Sequence, residues 1–273
     1  MPGYPKTDIE LSLLSWQSSF ASKATLNMEP SKSHIKFIIP CYNEAGRLNL
    51  AAFIDFLDST SGQNVSFLFV DDGSKDDTKK MLHDFSSRHK SIDLLALVKN
   101  VGKAEAIRQG FLSVNEQLDY LGYLDADLAT PLSEINHFRK IIGEKKRPIL
   151  IMGSRVGLLG YSEIKRNMTR HYLGRIFATV VSNILQLPIY DTQCGAKIIQ
   201  AQIAKEVFRD AFISKWLFDV ELIFRIKKLK SDYRSRIVEV PLRKWEDKAG
   251  SKIAFTYFFQ APFDLIRIFL RYR

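Results

Sequence analysis

The chain has 273 residues, enough for one large α/β domain with appendages, and 46% of them are hydrophobic, as in an ordinary globular core. A formal charge of +10 implies anionic company: nucleotide diphosphates, lipid phosphates or nucleic acid. Two distant cysteines, Cys41 and Cys194, exclude a disulfide framework and fit a reducing compartment. The start of the chain shows no secretory signal core, and no stretch approaches the roughly 20 uninterrupted apolar residues of a spanning helix.

Residues 1–33 read as an N-terminal extension rich in Ser, Lys and Thr, with a weakly apolar patch at Leu11, Leu13, Leu14, Trp16 and Phe20 that suggests a short docking helix. From Ile35 onward, strands and helices alternate. Strands are expected at 35–40, 65–70, 94–98, 120–124 and 149–152. Helices are expected between them at 47–57, 76–88, 103–117 and 132–142. Such alternation argues for right-handed βαβ units and a mostly parallel sheet. After Gly153 the rhythm changes. Residues 162–187 read as one long helical stretch, 194–199 as a strand, 201–208 and 217–229 as helices, and 237–240 as a strand. The last segment, 253–273, is rich in Phe, Leu and Ile and broken by Gln260, Asp264 and Arg267, so it is expected to lie in a membrane interface rather than to span it. The domain proper is thus expected over residues 34–252.

Two acidic clusters follow apolar strands. Asp71-Asp72-Gly73-Ser74 follows Phe67-Leu68-Phe69-Val70, and Asp125-Ala126-Asp127 follows Tyr120–Leu124. Strand carboxyl ends are where α/β sheets present ligand groups. Asp125 and Asp127 are two apart, which in extended backbone puts them on one face. Converging carboxylates repel unless a cation sits between them, and a hard divalent ion that also grips a diphosphate suits the place. Each piece has a plainer explanation. The first cluster alone reads as a turn with Ser74 or Asp76 capping a helix, and Glu44 alone reads as a helix starter. Asn100-Val101-Gly102-Lys103-Ala104 has neither Walker spacing nor a G-x-G-x-x-G pattern, which weakens ATP hydrolysis and dinucleotide binding. Arg166 and Arg170, four apart, share one helical face and, with Arg155 of Gly153-Ser154-Arg155, supply guanidinium groups suited to phosphate.

The order of these pieces resembles a family 2 glycosyltransferase of the GT-A fold, over about Ile35–Lys252. Within that family the chain is most similar to the dolichyl-phosphate β-glucosyltransferase and polyprenyl-phosphate glycosyltransferase branch. The residues behind that likeness are Arg166 and Arg170, Asp191-Thr192-Gln193-Cys194-Gly195-Ala196-Lys197, Trp216-Leu217-Phe218-Asp219-Val220-Glu221 and Gly250-Ser251-Lys252. Dolichol-phosphate mannose synthases carry a Gln two residues past the second Asp, where this chain has Ala129; that departure suits the glucosyl branch.

The resemblance implies a Rossmann-like, three-layer nucleotide-sugar-binding fold with C-terminal amphipathic helices, and an inverting, metal-dependent transfer of a sugar, glucose favoured, from a UDP-sugar. Pro40, Tyr42, Glu44, Asp71, Asp72, Lys103 and Asp125 would hold the donor, and Asp125 and Asp127 would hold Mg²⁺ or Mn²⁺. Arg155, Arg166, Arg170 and Lys252 would take the acceptor phosphate. A lipid phosphate is already an anion and needs no strong base; a glycan hydroxyl does, and Asp219 is then the candidate. The enzyme is expected at the cytoplasmic face of a membrane, peripherally bound, and without nucleic acid. A non-catalytic basic binding module would use the charge of +10 but leaves the acidic pair unexplained.

Overall fold

A computed structural model describes residues 32–144, 147–165, 168–248 and 256–273, with the backbone alone at 168–173 and 256–259. The elements run β1 (Ile35–Cys41), α1 (Leu50–Asp58), β2 (Val65–Asp71), α2 (Thr78–Arg88), β3 (Ile92–Ala96), α3 (Lys103–Ser113), β4 (Tyr120–Tyr123), α4 (Glu134–Glu144) and β5 (Leu150–Ser154). They continue with β6 (Glu163–Lys165), α5 (Met168–Leu185), β7 (Lys197–Gln200), α6 (Ala201–Val207), α7 (Phe218–Leu229), α8 (Tyr233–Arg236), β8 (Ile237–Pro241), β9 (Lys244–Glu246) and α9 (Thr256–Tyr272).

Seven strands form one sheet in the order β3-β2-β1-β4-β7-β5-β8. β7 is antiparallel to both its neighbours, and the other six strands run one way. The carboxyl ends of β1, β2, β4 and β5 therefore open on one edge, and the chain enters β7 from that same edge. Alternation builds the layers. In β1, Ile35, Phe37 and Ile39 join a cluster with Phe53 and Phe56 of α1, Phe85 of α2 and Phe138 of α4. Ile38 faces the other way, into a cluster with Ile107 and Phe111 of α3, Val181 of α5 and much of α7. Both faces of the sheet are covered, giving the expected three layers. Phe53 meets Phe67 and Phe69 edge-on at 5.0 Å each, and burying one such ring contributes about 1.5–3 kcal/mol. α7 is buried along most of its length, between α6 and α9.

Several expected elements differ in their bounds: the strand foreseen at 194–199 begins at Lys197, and the helix foreseen at 132–142 runs Glu134–Glu144. The helical stretch foreseen at 162–187 begins with a strand, because Glu163–Lys165 pairs in parallel with β9, a partner about eighty residues away that local periodicity does not reveal. β3 sits two residues earlier than expected: its register pairs Phe67 with Ile92, which leaves Val98 fully exposed. α1 starts at Leu50 rather than Arg47, since Asn49 caps it by accepting from Ala52 N at 3.2 Å. α3 stops at Ser113, where Val114 turns extended, rather than running to Gln117. The apolar patch at Leu11–Phe20, Arg166, Lys252 and the Arg170 side chain lie outside the described residues.

Candidate active site

The ends of β1 and β2 are knitted together through short polar side chains. Asn43, at φ 55°, donates its backbone N–H to Ser74 Oγ (3.0 Å) and accepts Lys75 N–H on Oδ1 (2.8 Å); Glu44 N–H donates to Thr78 Oγ1 (2.7 Å). Gly73, at φ 64°, lets the β2–α2 loop touch the β3–α3 loop. A Cβ there would lie 2.5 Å from the Lys99 carbonyl carbon and 2.6 Å from Asn100 N, which no side chain tolerates. Asp72 fixes the second loop by accepting from Val101 N (2.7 Å), Gly102 N (2.9 Å) and Asn100 Nδ2 (3.0 Å). Burial, with Asp71 close by, holds its pKa above the usual carboxylate range despite those bonds.

The two adjacent aspartates therefore differ. Asp72 is a loop organiser. Asp71 is fully buried, accepts Ser74 N (3.3 Å) on Oδ1, and has no partner on Oδ2 among the described residues. A buried carboxylate oxygen without a donor is costly, and a ligand N–H or O–H would satisfy it. Tyr42 is half-buried at the same edge, and Glu44 is buried in an ion pair with Arg47.

β4 ends at Tyr123, and the chain then turns tightly. Leu128 stands at φ 52°, its N–H reaches Asp125 O (3.3 Å), and Ala129 N–H reaches Asp127 Oδ1 (3.0 Å). Asp125 and Asp127 are both half-buried on either side of buried Ala126. They are close enough to couple: burial first, then the Asp125 charge, raises the Asp127 pKa, while Lys103 and Arg47 pull it down. Lys103, in the first turn of α3, ion-pairs with Asp125. Desolvation opposes its charge, but the carboxylates of Asp125, Asp219 and Asp127 outweigh it and hold the ammonium above its ordinary value.

Two carboxylates suit a metal of one kind only. Among the described residues no group of three His, Cys, Asp or Glu gathers as a protein cage. Mg²⁺ commonly takes one or two carboxylates and completes its octahedron with substrate phosphates and water. The donor set fits an ion shared with a diphosphate.

Behind this pair lies a buried layer. Asp219, in the first turn of α7, accepts on Oδ1 from Tyr123 Oη and from Lys197 Nζ (2.6 Å); Lys197, fully buried, also donates to Cys194 O (2.6 Å). Beside it Arg155 clamps Asp191 through Nε (2.6 Å) and Nη2 (2.8 Å) and lies 5.4 Å from the Trp245 ring centre. Asp191 N–H and Tyr190 N–H in turn donate to Glu239 (2.6 and 2.7 Å). The structure thus brings Asp71, Asp125, Asp127, Lys103, Arg155 and Asp219 to one edge of the sheet. It also gives Asp72 and Arg155 internal partners that sequence reasoning did not foresee.

Arg47, Tyr123, Gly195 and Lys197 also touch the candidate site's carboxylates, and the sequence did not single them out as site residues. Arg47 was read as helix, although a cation three residues after Glu44 fits a local ion pair. Lys197 ends the string Asp191–Lys197 in the sequence and opens β7 in the structure. A lysine facing the buried side of an apolar strand is itself a signal, since it must have a partner.

A mostly parallel sheet covered on both faces, with a carboxylate pair at the end of β4 and a buried aspartate with an open oxygen at the end of β2, suits a glycosyltransferase of the GT-A class. The chain belongs to glycosyltransferase family 2: the family described as Glycosyl transferase family 2 matches residues 36–208. It is 33% identical over 251 residues to dolichyl-phosphate beta-glucosyltransferase of Dictyostelium discoideum, covering 88% of this chain and 75% of that protein. It is 30% identical over 275 residues to the Saccharomyces cerevisiae enzyme of the same name, covering 93% and 80%. Among solved structures it is similar in fold to glucosyl-3-phosphoglycerate synthase from Mycobacterium tuberculosis in complex with Mn²⁺, UDP and glucosyl-3-phosphoglycerate. The TM-score is 0.58 at 14% identity, over 98% of this chain and 85% of that one.

Proposed function

We propose that this protein moves glucose from UDP-glucose to a dolichyl or other polyprenyl phosphate, with inversion and with Mg²⁺ or Mn²⁺ on the donor diphosphate. The carrying observation is the half-exposed Asp125–Asp127 pair at the end of β4, on the same sheet edge as buried Asp71 at the end of β2, whose Oδ2 has no partner among the described residues. The names of the relatives support the acceptor and the sugar. The similar synthase solved with Mn²⁺ and UDP supports a metal-bridged uridine diphosphate.

In this reading Asp71 would accept from the nucleoside with Tyr42 flanking it, and Asp125 and Asp127 would hold the ion, which when bound would supply charge stabilisation for the departing diphosphate. Lys103, ion-paired with Asp125 and half exposed, is placed where its ammonium would also serve a phosphate oxygen of the donor. Arg155 keeps a positive edge beside the reacting centre while Asp191 fixes its plane. The acceptor attacks the anomeric carbon from the face opposite the diphosphate. Transfer to a glycan hydroxyl would need a base. Asp219 is buried with Oδ1 committed to Tyr123 and Lys197, which favours an acceptor that arrives ionised.

That acceptor resides in a membrane, and α9 has the surface to meet it. Ala261, Leu265 and Ile268 pack into the core. Phe263, Ile266 and Leu270 are 71%, 56% and 66% exposed and fall within about 60° of arc on the opposite side. Arg267 and Arg271 flank them, as suits anionic headgroups. Among the described residues no helix is long and apolar enough to cross a membrane.

The test is incubation of the protein with UDP-glucose, Mg²⁺ or Mn²⁺, and a short polyprenyl phosphate. A polyprenyl phosphate-glucose product is expected, and GDP-mannose should be a poor substitute. Donor binding without transfer to lipid, but with transfer to an oligosaccharide, would sink the acceptor assignment.

A further inference from the structure

We propose that Gly195 and Lys197 are positioning residues whose job is to hold the Asp125 carboxylate in place for the ion. This rests on the reading of Asp125 as a metal ligand given above. The turn Asp191–Ala196 carries the chain into β7 along the edge where β4 ends. Gly195 lies so close to Asp125 that a Cβ on it would coincide with the carboxylate, meeting Oδ2, Cγ and Oδ1 in turn. The hydrogen of Gly195 is thus the wall against which Asp125 rests.

The turn cannot retreat. Lys197 Nζ grips the carbonyl of Cys194 from below (2.6 Å), and its other bond, to Asp219 Oδ1 (2.6 Å), anchors it to α7. Tyr123, the last residue of β4, holds the same Oδ1 through its hydroxyl. Asp219 therefore ties together the strand that presents Asp125 and the turn that confines it. Cys194 is fully buried, and a Cβ on Gly153 would stand 3.0 Å from its sulfur, so the turn is packed on its other side as well. Among the described residues Asp125 has one side-chain partner, the half-exposed Lys103, so without the wall its side chain would be free to follow that lysine.

Gly195 offers a clean test. It is not in the left-handed region, so alanine brings no backbone strain there, and the added methyl meets Asp125 first. Gly143→Ala, where a Cβ meets nothing within 4 Å, serves as control. UDP binding is measured by calorimetry with Mn²⁺ and with EDTA, alongside Tm. Gly195→Ala is expected to weaken Mn²⁺-supported UDP binding about tenfold or more, with EDTA binding little changed. In an Asp125→Ala background the same change should add less than about twofold. Equal loss in both backgrounds, or no loss beside a clear effect of Asp125→Ala, overturns the proposal. If Asp125→Ala itself leaves Mn²⁺-supported binding intact, the metal reading beneath it falls too. Should Gly195→Ala not fold, Lys197→Met combined with Asp219→Asn removes the anchor without stranding a charge. It should lower Mn²⁺-supported binding about fivefold while EDTA binding holds, and a loss in both conditions counts against the proposal.

Discussion

Two carboxylate–cation pairs in this molecule use the same chemistry to opposite ends. Glu221 and Arg225 of α7 are both buried and fully engaged. Arg225 donates to Glu221 Oε1 (2.7 Å) and to the carbonyls of Val207, Asp210 and Ala211, while Glu221 also accepts from Ile213 N (2.8 Å) and the Tyr272 hydroxyl (2.8 Å). This network pins the α6–α7 loop and the end of α9 to the core. Asp125 and Lys103 are half exposed, and among the described residues neither side chain is fixed by a second strong bond of its own. A pair with every lone pair answered is architecture; a pair left half open is available to a ligand. Burial and completeness of bonding, more than the presence of charge, separate the two.

Breaking the closed pair should have the largest effect. Arg225→Ala strands the Glu221 carboxylate in an apolar interior and should cost about 3–5 kcal/mol. That corresponds to a fall in Tm of about 10 °C by calorimetry. UDP affinity of the protein that remains folded should not change; a selective loss of binding would place α7 in the donor site. Removing the second carboxylate beside the open pair should do the reverse. Asp127→Ala should weaken Mn²⁺-supported UDP binding about 100-fold, or roughly 2.7 kcal/mol, with the fold intact by circular dichroism. Near-parental affinity would remove the acidic pair from the donor site.

The two regions also differed in how far they could be read from the sequence. The sheet was legible because its strands are short apolar runs with period two, and the acidic pair was legible because it directly follows one of them. The open state of Asp71 against the engaged state of Asp72 was not, since adjacent identical residues carry no mark of which loop reaches which oxygen. Nor was the strand at Glu163–Lys165, whose three polar residues acquire their conformation only from Lys244–Glu246. The Glu221–Arg225 spacing fits a helical pair, but its burial follows from α9 packing over it, a contact about fifty residues away in sequence.

The outer face of α9 gives a smaller effect. Ile266 is more than half exposed, so Ile266→Ser should leave Tm nearly unchanged. It should weaken cosedimentation with vesicles containing anionic lipid about fivefold, near 1 kcal/mol, because the isoleucine reaches only into the interface. Equal binding to anionic and neutral vesicles would show that the flanking arginines do not contribute.

The smallest expected effect is on the metal-free protein, and its sign separates the two kinds of carboxylate most sharply. Burial and the Asp125 charge hold the folded-state pKa of Asp127 above its unfolded value. The folded protein therefore keeps that proton more tightly than the unfolded chain, so stability contributed at this site falls as pH rises through the raised value. At pH 7 in EDTA the ionised Asp127 weighs against the fold. Asp127→Asn removes the charge and keeps the Oδ1 that accepts Ala129 N–H, so it should raise Tm slightly. The gain should vanish below about pH 3.9, where aspartate is protonated in both states. With Mn²⁺ and UDP at about 100 times Kd the order should invert, since the parent gains roughly 2.7 kcal/mol from ligand and the variant does not. A Tm lowered by Asp127→Asn in EDTA at pH 7 would place Asp127 with Glu221, as a carboxylate the fold needs charged, and would leave the β4 edge without its reason to bind a cation.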